Sequence, residues 1–196
     1  MRTSQTIIRY QNLQEELLSA KTYFAESKAR SSYHPYADFH RKGFTLLDTQ
    51  LPCLLLDHAY QFLRIALREQ KRICFIGCPP QKRMAWSRLL IKYGQHHISS
   101  EEWIHGLLTR QKRQIPDRSL FQKDVTIVVI FDLKKHSAAK EEALRTQKVI
   151  IGFGSSPKEM ERIDYPIPLP LFTALGGKFY YSFLQSVFQG LSFSKN

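Results

Sequence analysis

No apolar run in this sequence approaches the roughly 18 residues that a spanning helix needs, so none is expected. Cysteine is scarce: Cys53, Cys74 and Cys78 are the only three, and three cannot build a disulfide framework. Cys74 lies inside an apolar run and reads as a buried, reduced thiol. Cys78 falls in the turn beyond and is a candidate exposed thiol, with no base nearby to activate it. Negative charge is also in short supply, with 17 Asp plus Glu against 29 Lys plus Arg, a net charge of +12 and a pI near 9.7. That imbalance points to a polyanion, because each Lys or Arg set against a phosphate releases condensed counterions. An anionic membrane surface would call for a Lys/Arg-rich helix with a clean apolar face, and none is found. The first thirty residues carry Arg2, Arg9, Lys21, Lys28 and Arg30 but also Glu15, Glu16 and Glu26. They lack the apolar core of a secretory signal. The acidic residues count against an organelle presequence, and a basic helix lying on a partner fits the segment.

There is no internal repeat and no low-complexity tract. The length suits one domain with an arm, and we expect residues 1–34 to be an N-terminal helix or arm and residues 35–196 a single α/β domain. Residues 5–30 have helical spacing, and residues 31–43 read as an irregular stretch. Strands are expected at Phe44–Leu47, Ile73–Ile76, His96–Ser99, Val125–Phe131 and Val149–Phe153. Helices are expected over Leu51–Gln70, Gln81–Tyr93, Ser137–Thr146 and Thr173–Gly190, the last with Phe179, Tyr180, Phe183 and Phe188 along one side. Glu101–Gln114 is less regular. Strands alternating with helices imply a mostly parallel sheet covered on both faces.

Such a sheet gathers ligands at the carboxyl ends of its strands, where Asp132 follows an apolar run. A nucleotide or Mg²⁺ enzyme using Asp132 would need further carboxylates. The equivalent strand ends offer only Gly77-Cys78-Pro79 and Gly152-Phe153-Gly154, so Asp132 reads as a cap for the following turn. The Gly77 turn lacks the second glycine and the Gly-Lys-Ser/Thr ending of a phosphate loop, and its prolines remove backbone donors. Gly152 and Gly154 read as a turn. His96, His97 and His105 do not make a zinc set: neighbours on a strand face opposite ways and no suitably spaced cysteine pair accompanies them. No cofactor or metal is expected.

Basic residues cluster more persuasively, with Lys82, Arg83 and Arg88 on one helix and Arg110, Lys112, Arg113 and Arg118 in one short stretch. Lys134-Lys135 follow a strand end and Arg41-Lys42 precede a strand. Tyr33, Tyr36, Phe39 and Trp103 are interleaved with them and are compatible with base stacking. For Trp103, packing that orders its loop is the better reading.

In order along the chain, Pro35-Tyr36, Arg41, Gly43 and Phe44-Thr45-Leu46-Leu47-Asp48 resemble the opening segment of small-subunit ribosomal protein two. Ala59-Tyr60 with Phe62-Leu63 resembles that family's next helix, and Phe75-Ile76-Gly77 with Gln81 resembles its glycine turn. Trp103 with Gly106, Leu108 and Thr109 is similar to its tryptophan motif. Asp124 to Asp132, Glu142-Ala143 and Ile163-Asp164-Tyr165-Pro166-Ile167-Pro168 follow in the family's order. The resemblance covers residues 35–190. It departs at Glu102, where the family has Arg, at His105 for a glycine, and at Arg110 for Asn. It departs again at Leu169-Pro170-Leu171-Phe172, for a Gly-Asn-Asp-Asp run, and at Gly152-Phe153-Gly154-Ser155, where an Asp is lost. Little chain separates Thr109 from Asp124, where the family inserts a long helical hairpin.

The resemblance implies a flavodoxin-like three-layer α/β/α sandwich without that hairpin. It implies a structural, non-enzymatic role in the small ribosomal subunit near the head–body junction. The expected partners are ribosomal RNA and neighbouring ribosomal proteins, with no membrane and no homo-oligomer. The trimming and drift resemble a mitochondrial version, bound to matrix ribosomes, with a plastid or the bacterial cytoplasm as alternatives. On this reading Arg41, Lys42, Lys82, Arg83, Arg110, Lys112 and Arg113 are the expected phosphate contacts. A free RNA-binding assembly factor is the alternative function.

Overall fold

Three strands of this protein, at residues 72–76, 125–130 and 149–153, owe their form to short runs rich in Ile, Val and Phe, most of whose side chains are buried on both sides of the chain. The computed structural model describes residues 12–19, 24–26, 37–41, 44–47, 49–78, 83–109, 125–154, 156–169 and 174–189; of residues 24–26, 37–41, 44–47, 83 and 174–175 it describes the backbone. In chain order these are helix α1 (residues 12–19), strands β1 (Phe24–Glu26), β2 (Ala37–Arg41) and β3 (Phe44–Leu47), then helix α2 (Gln50–Arg68). Next come β4 (Arg72–Ile76), α3 (Arg83–Lys92), β5 (His96–Ile98), β6 (Val125–Ile130), α4 (Ser137–Arg145), β7 (Val149–Phe153), α5 (Pro157–Met160), β8 (Tyr165–Ile167) and α6 (Ala174–Phe188).

Strands β4 to β8 form one parallel sheet in the order β5-β4-β6-β7-β8. Counted from β4 this is 2-1-3-4-5, the flavodoxin-like order, in keeping with the fold that the family resemblance implied. Side chains alternate across the sheet. Ile73 and Phe75 of β4, with Ile127 and Val129 of β6, enter one core; Cys74 and Ile76, with Val128 and Ile130, enter the other. The register of β4 against β6 shifts between Arg72 and Ile73, and Val125 thereby joins the core of Val128 and Ile130.

Helices α2, α3 and α6 contribute to the first core, and α4 and α5 to the second, which gives three layers. The first core is dominated by aromatic rings. Trp86 meets Phe131 edge-on at 5.4 Å, Phe131 stacks on Phe153 at 5.2 Å, and Tyr180 of α6 stands across Phe153 at 4.8 Å. Burying each such ring contributes about 1.5–3 kcal/mol. α1 joins this core through Leu17, and its Gln14 donates to the Thr49 hydroxyl at 3.3 Å.

Three of the helix-to-strand turns repeat one geometry. Lys71 N–H returns to Ala66 O, Gln95 N–H to Leu90 O and Lys148 N–H to Ala143 O. The residue before each, Gln70, Gly94 and Gln147, has a positive φ of 57°, 65° and 52°. These are Schellman turns, which satisfy the last free carbonyls of a helix.

Several expectations are corrected. Residues 24–26 are a strand, not the end of a helix, and residues 37–41 are a strand, not an irregular stretch. β1 and β2 flank β3 in a separate antiparallel sheet, with Glu26 and Arg41 both opposite Phe44. Pairing with β3 supplies what their composition does not. Gly152 is inside β7 rather than in a turn, because the Leu133 side chain lies over it; a Cβ there would meet Leu133 Cδ1 at 2.8 Å. Cys78 is buried rather than exposed, and burial pushes its thiol pKa well above the usual range. Cys74 is buried as expected, its thiol pushed up to about 12 by desolvation, which Lys148 partly offsets. Among the described residues no helix is long and apolar enough to cross a membrane. The expected absence of a helical hairpin concerns residues 110–124, outside the described residues.

Candidate nucleic-acid interface

Two of the seven basic residues expected to contact phosphate are placed by the backbone: Arg41 ends β2 and Arg83 opens α3. Lys42, Lys82, Arg110, Lys112 and Arg113 lie outside the described residues. The two that are placed belong to different sheets' surroundings, so the described structure brings no pair of the seven into contact. What it does fix is the frame from which the central basic stretch departs.

That frame is built at the carboxyl end of the parallel sheet, around the turn after β6. Asp132 has φ of 58°, a conformation Asp tolerates because its short side chain can bond locally. Its Oδ1 accepts Lys135 N–H at 3.0 Å and its carbonyl accepts His136 N–H at 3.0 Å. Asp132 is therefore the turn cap expected from the sequence. Leu133, buried, donates its N–H to Phe153 O at 2.8 Å.

His136, unremarked in the sequence, closes the crevice between β4 and β6. It is 4% exposed and its Nε2 lies 2.9 Å from Ser100 Oγ as a hydrogen-bonded pair. Burial lowers its pKa below the usual histidine value; Asp132 opposes that shift and Lys135 adds to it. Gly77, with φ of 75°, sits so close that any Cβ would collide with the His136 ring. This is the switch point where open α/β sheets bind ligands, and here a side chain fills it. No group of three or more His, Cys, Asp or Glu suited to a metal ion occurs among the described residues.

The tryptophan motif runs from Trp103 to Thr109 along the second core. Trp103 packs against that core, as expected, while its indole N–H has no acceptor among the described residues. Leu107 and Leu108 are buried. Gly106, with φ of 87°, turns the chain so that two amides face α4. Glu142 receives both: Gly106 N–H donates to Oε1 at 2.5 Å and Leu108 N–H to Oε2 at 3.0 Å. With Glu142 only 8% exposed, these are charge-assisted bonds in a dry site, about twice as strong as neutral ones. Glu102, which stands where the family resembled has Arg, accepts Ser99 N–H at 3.1 Å and helps fold the same loop.

Tyr165-Pro166-Ile167 of the proline motif forms β8, the sheet's edge beside β7. An edge tolerates the missing N–H of Pro166. Asp164 reaches back to accept Ile150 N–H through Oδ2 at 2.8 Å. The segment is thus extended, as expected, and bonded into the sheet as well.

Comparison of the sequence with known proteins points to one family. The sequence model described as "Ribosomal protein S2" matches residues 17–124. The chain is 30% identical over 100 residues to "Small ribosomal subunit protein uS2" of Petrotoga mobilis, a match covering 50% of this chain and 34% of that protein. It is 30% identical over 96 residues to "Small ribosomal subunit protein uS2c" of Emiliania huxleyi, covering 48% of this chain and 42% of that one. The matched stretch thus spans well under half the length of either relative. The family match begins earlier than the resemblance read from the motifs and stops short of the proline motif, but it takes in more than half of the chain, which therefore belongs to the ribosomal protein S2 family.

Proposed function

We propose that this protein is a structural, non-enzymatic constituent of a small ribosomal subunit, bound to ribosomal RNA near the head–body junction. Membership of the ribosomal protein S2 family is the observation that carries the reading. The excess of 12 positive charges supports a phosphate-rich partner. The Asp132 carboxylate is already engaged by its own turn, which weighs against the nucleotide or Mg²⁺ enzyme alternative. Phosphate contacts are assigned to Arg41, Lys42, Lys82, Arg83, Arg110, Lys112 and Arg113. They position the protein, while the folded shape of the RNA supplies selectivity. Neighbouring ribosomal proteins are the further partners, and the chain acts as one copy per subunit without a membrane. Residues 35–196 are assigned to the α/β domain, and the preceding N-terminal segment is joined to it through Leu17 of α1 and the pairing of β1 with β3. The departures from the family pattern, notably the short stretch between Thr109 and Asp124, support a mitochondrial ribosome.

Sucrose-gradient fractionation of a lysate in low salt tests this. The protein is expected to migrate with small subunits, and with those of purified mitochondria when organelles are separated first. A protein that stays at the top of the gradient is a free RNA-binding factor, and the ribosomal reading fails. Migration with subunits from another compartment overturns the mitochondrial assignment alone.

A further inference from the structure

Helix α3 carries the two most exposed large apolar side chains among the described residues, Met84 at 71% and Ile91 at 69%. Their spacing puts them on one face, two turns apart, about 10 Å along the axis at ~1.5 Å per residue. A single exposed apolar side chain is ordinary, but this pair borders a groove of about 450 Å³. Ser87 lines the groove between them, and His96 and His97 of β5 with Glu102 of the following loop line its opposite side. β5 is the outermost strand of the parallel sheet, so the groove runs along the sheet's edge. With three residues, β5 offers little backbone for an added strand. A helix can instead lay an apolar stripe into such a groove, with anchors at i, i+3 or i+4 and i+7.

The other border of the apolar pair is basic. Arg88 and Lys92 are exposed, one turn apart, and follow Met84 and Ile91 around the helix. Among the described residues neither is paired with a carboxylate; the Lys92 ammonium lies 5.5 Å from the centre of the Tyr93 ring.

We propose that this groove seats an amphipathic helix of a neighbouring ribosomal protein, whose apolar side chains meet Met84 and Ile91 and whose Asp or Glu residues meet Arg88 and Lys92. The inference rests on the small-subunit reading above and names a surface for the protein partners that reading calls for. An RNA backbone would match the two cations but leave the apolar pair facing phosphate and water. An apolar centre with a charged rim is instead the anatomy of a protein–protein interface. Methionine suits the seat, because its unbranched chain adapts to the shape it meets. The cations set the register of the incoming helix and disfavour a basic one. Arg88, grouped with Lys82 and Arg83 by the sequence, thereby takes a protein carboxylate rather than a phosphate.

The test is photocrosslinking within assembled subunits. The full chain carrying Ile91→p-benzoylphenylalanine is expressed in cells, small subunits are purified on a sucrose gradient and irradiated, and the crosslinked peptides are identified by mass spectrometry. The expected product joins position 91 to a segment of a ribosomal protein with Asp or Glu beside an apolar helical stripe. A crosslink to ribosomal RNA, to a second copy of this chain or to another segment of the same chain overturns the inference and leaves the ribosomal reading standing, as does the absence of any crosslink. A chain that does not enter subunits overturns both. With the crosslinker in place, Met84→Ser and, separately, Arg88→Glu with Lys92→Glu are each expected to lower the yield about tenfold. An unchanged yield overturns the apolar seat in the first variant and the acidic partner in the second. Both variants alter exposed side chains and are expected to keep the parent's urea midpoint, so a lost crosslink reads docking rather than folding.

Discussion

Asp164 accepts the amide hydrogen of Ile150 through Oδ2 at 2.8 Å, so the one acidic residue of the proline motif joins the start of β7 to the edge strand that follows it. Ile150 is fully buried. Removing the acceptor leaves a buried N–H without a partner, at a cost of about 1–2 kcal/mol. Asp164→Ala is expected to lower the urea midpoint accordingly with an unchanged m value. Asp164→Asn retains an acceptor oxygen and is expected to lose less than half as much. Equal losses in the two variants would show that charge rather than the bond matters.

His136 makes stability depend on pH. Its folded pKa lies below its unfolded value, chiefly through burial. The unfolded chain therefore binds the proton more readily, and stability rises with pH in this window. The contribution is present above the unfolded pKa near 6.5 and is lost as pH falls below it, toward the lower folded value. Urea unfolding at pH 7.5 and pH 5.5 is expected to show the decline. In His136→Asn the difference between the two pH values is expected to shrink; a difference as large as the parent's would assign the effect to the other histidines.

The contact of Gly77 with His136 is steric. Gly77→Ala combines a positive φ with a collision, and the expected loss is about 2–3 kcal/mol. In a His136→Ala background the collision with the ring disappears, leaving the positive φ and a tight 3.0 Å approach to Phe131 O, so the same substitution is expected to cost about 1 kcal/mol less. A double-mutant cycle in thermal or urea unfolding reads the coupling, and strict additivity would place the damage elsewhere.

Gln70 and Gln147 occupy left-handed positions in two of the three matching helix-end turns, while the third uses Gly94. A non-glycine residue there carries a steric penalty that glycine avoids. Gln70→Gly and Gln147→Gly are each expected to stabilise by about 0.5–1 kcal/mol. The turns share no partner, so the double variant should show the sum. Loss of stability in either would mean that its side chain makes a contact outweighing the backbone gain.

Some of this architecture was legible from local chemistry. The apolar runs Phe44–Leu47 and Val149–Phe153 mark their strands to the residue, and the gap between periodic segments marks α2, α3, α4 and α6 to within a few residues. β1 and β2 were not legible, because Phe24-Ala25-Glu26 and Ala37-Asp38-Phe39-His40-Arg41 lack β-branched residues and become strands through β3. The frame of the interface was half legible. Glu142 and Gly106 each belong to a family-like motif, but their pairing spans 36 positions and no local signal encodes it. His136 had no signal at all, since its role follows from the absence of a side chain at Gly77. The proline motif, the plainest label in the sequence, lies beyond the stretch matched by the family model, and its function in the fold emerges from Asp164 and β8.

The strand order has a consequence for how the chain acquires its structure. β4 is bordered by β5 on one side and by β6 on the other, and Ile130 of β6 sits opposite Ile76. During synthesis, β4 and β5 are complete before β6 has left the ribosome, so one flank of a strand that is apolar from Ile73 to Ile76 must wait for its neighbour. Parallel pairings across such a separation form slowly, and the exposed flank is the kind of surface that aggregates while it waits. The most vulnerable interval in the folding of this chain therefore falls between the emergence of β5 and the arrival of Val125–Ile130, when a chaperone would shield β4.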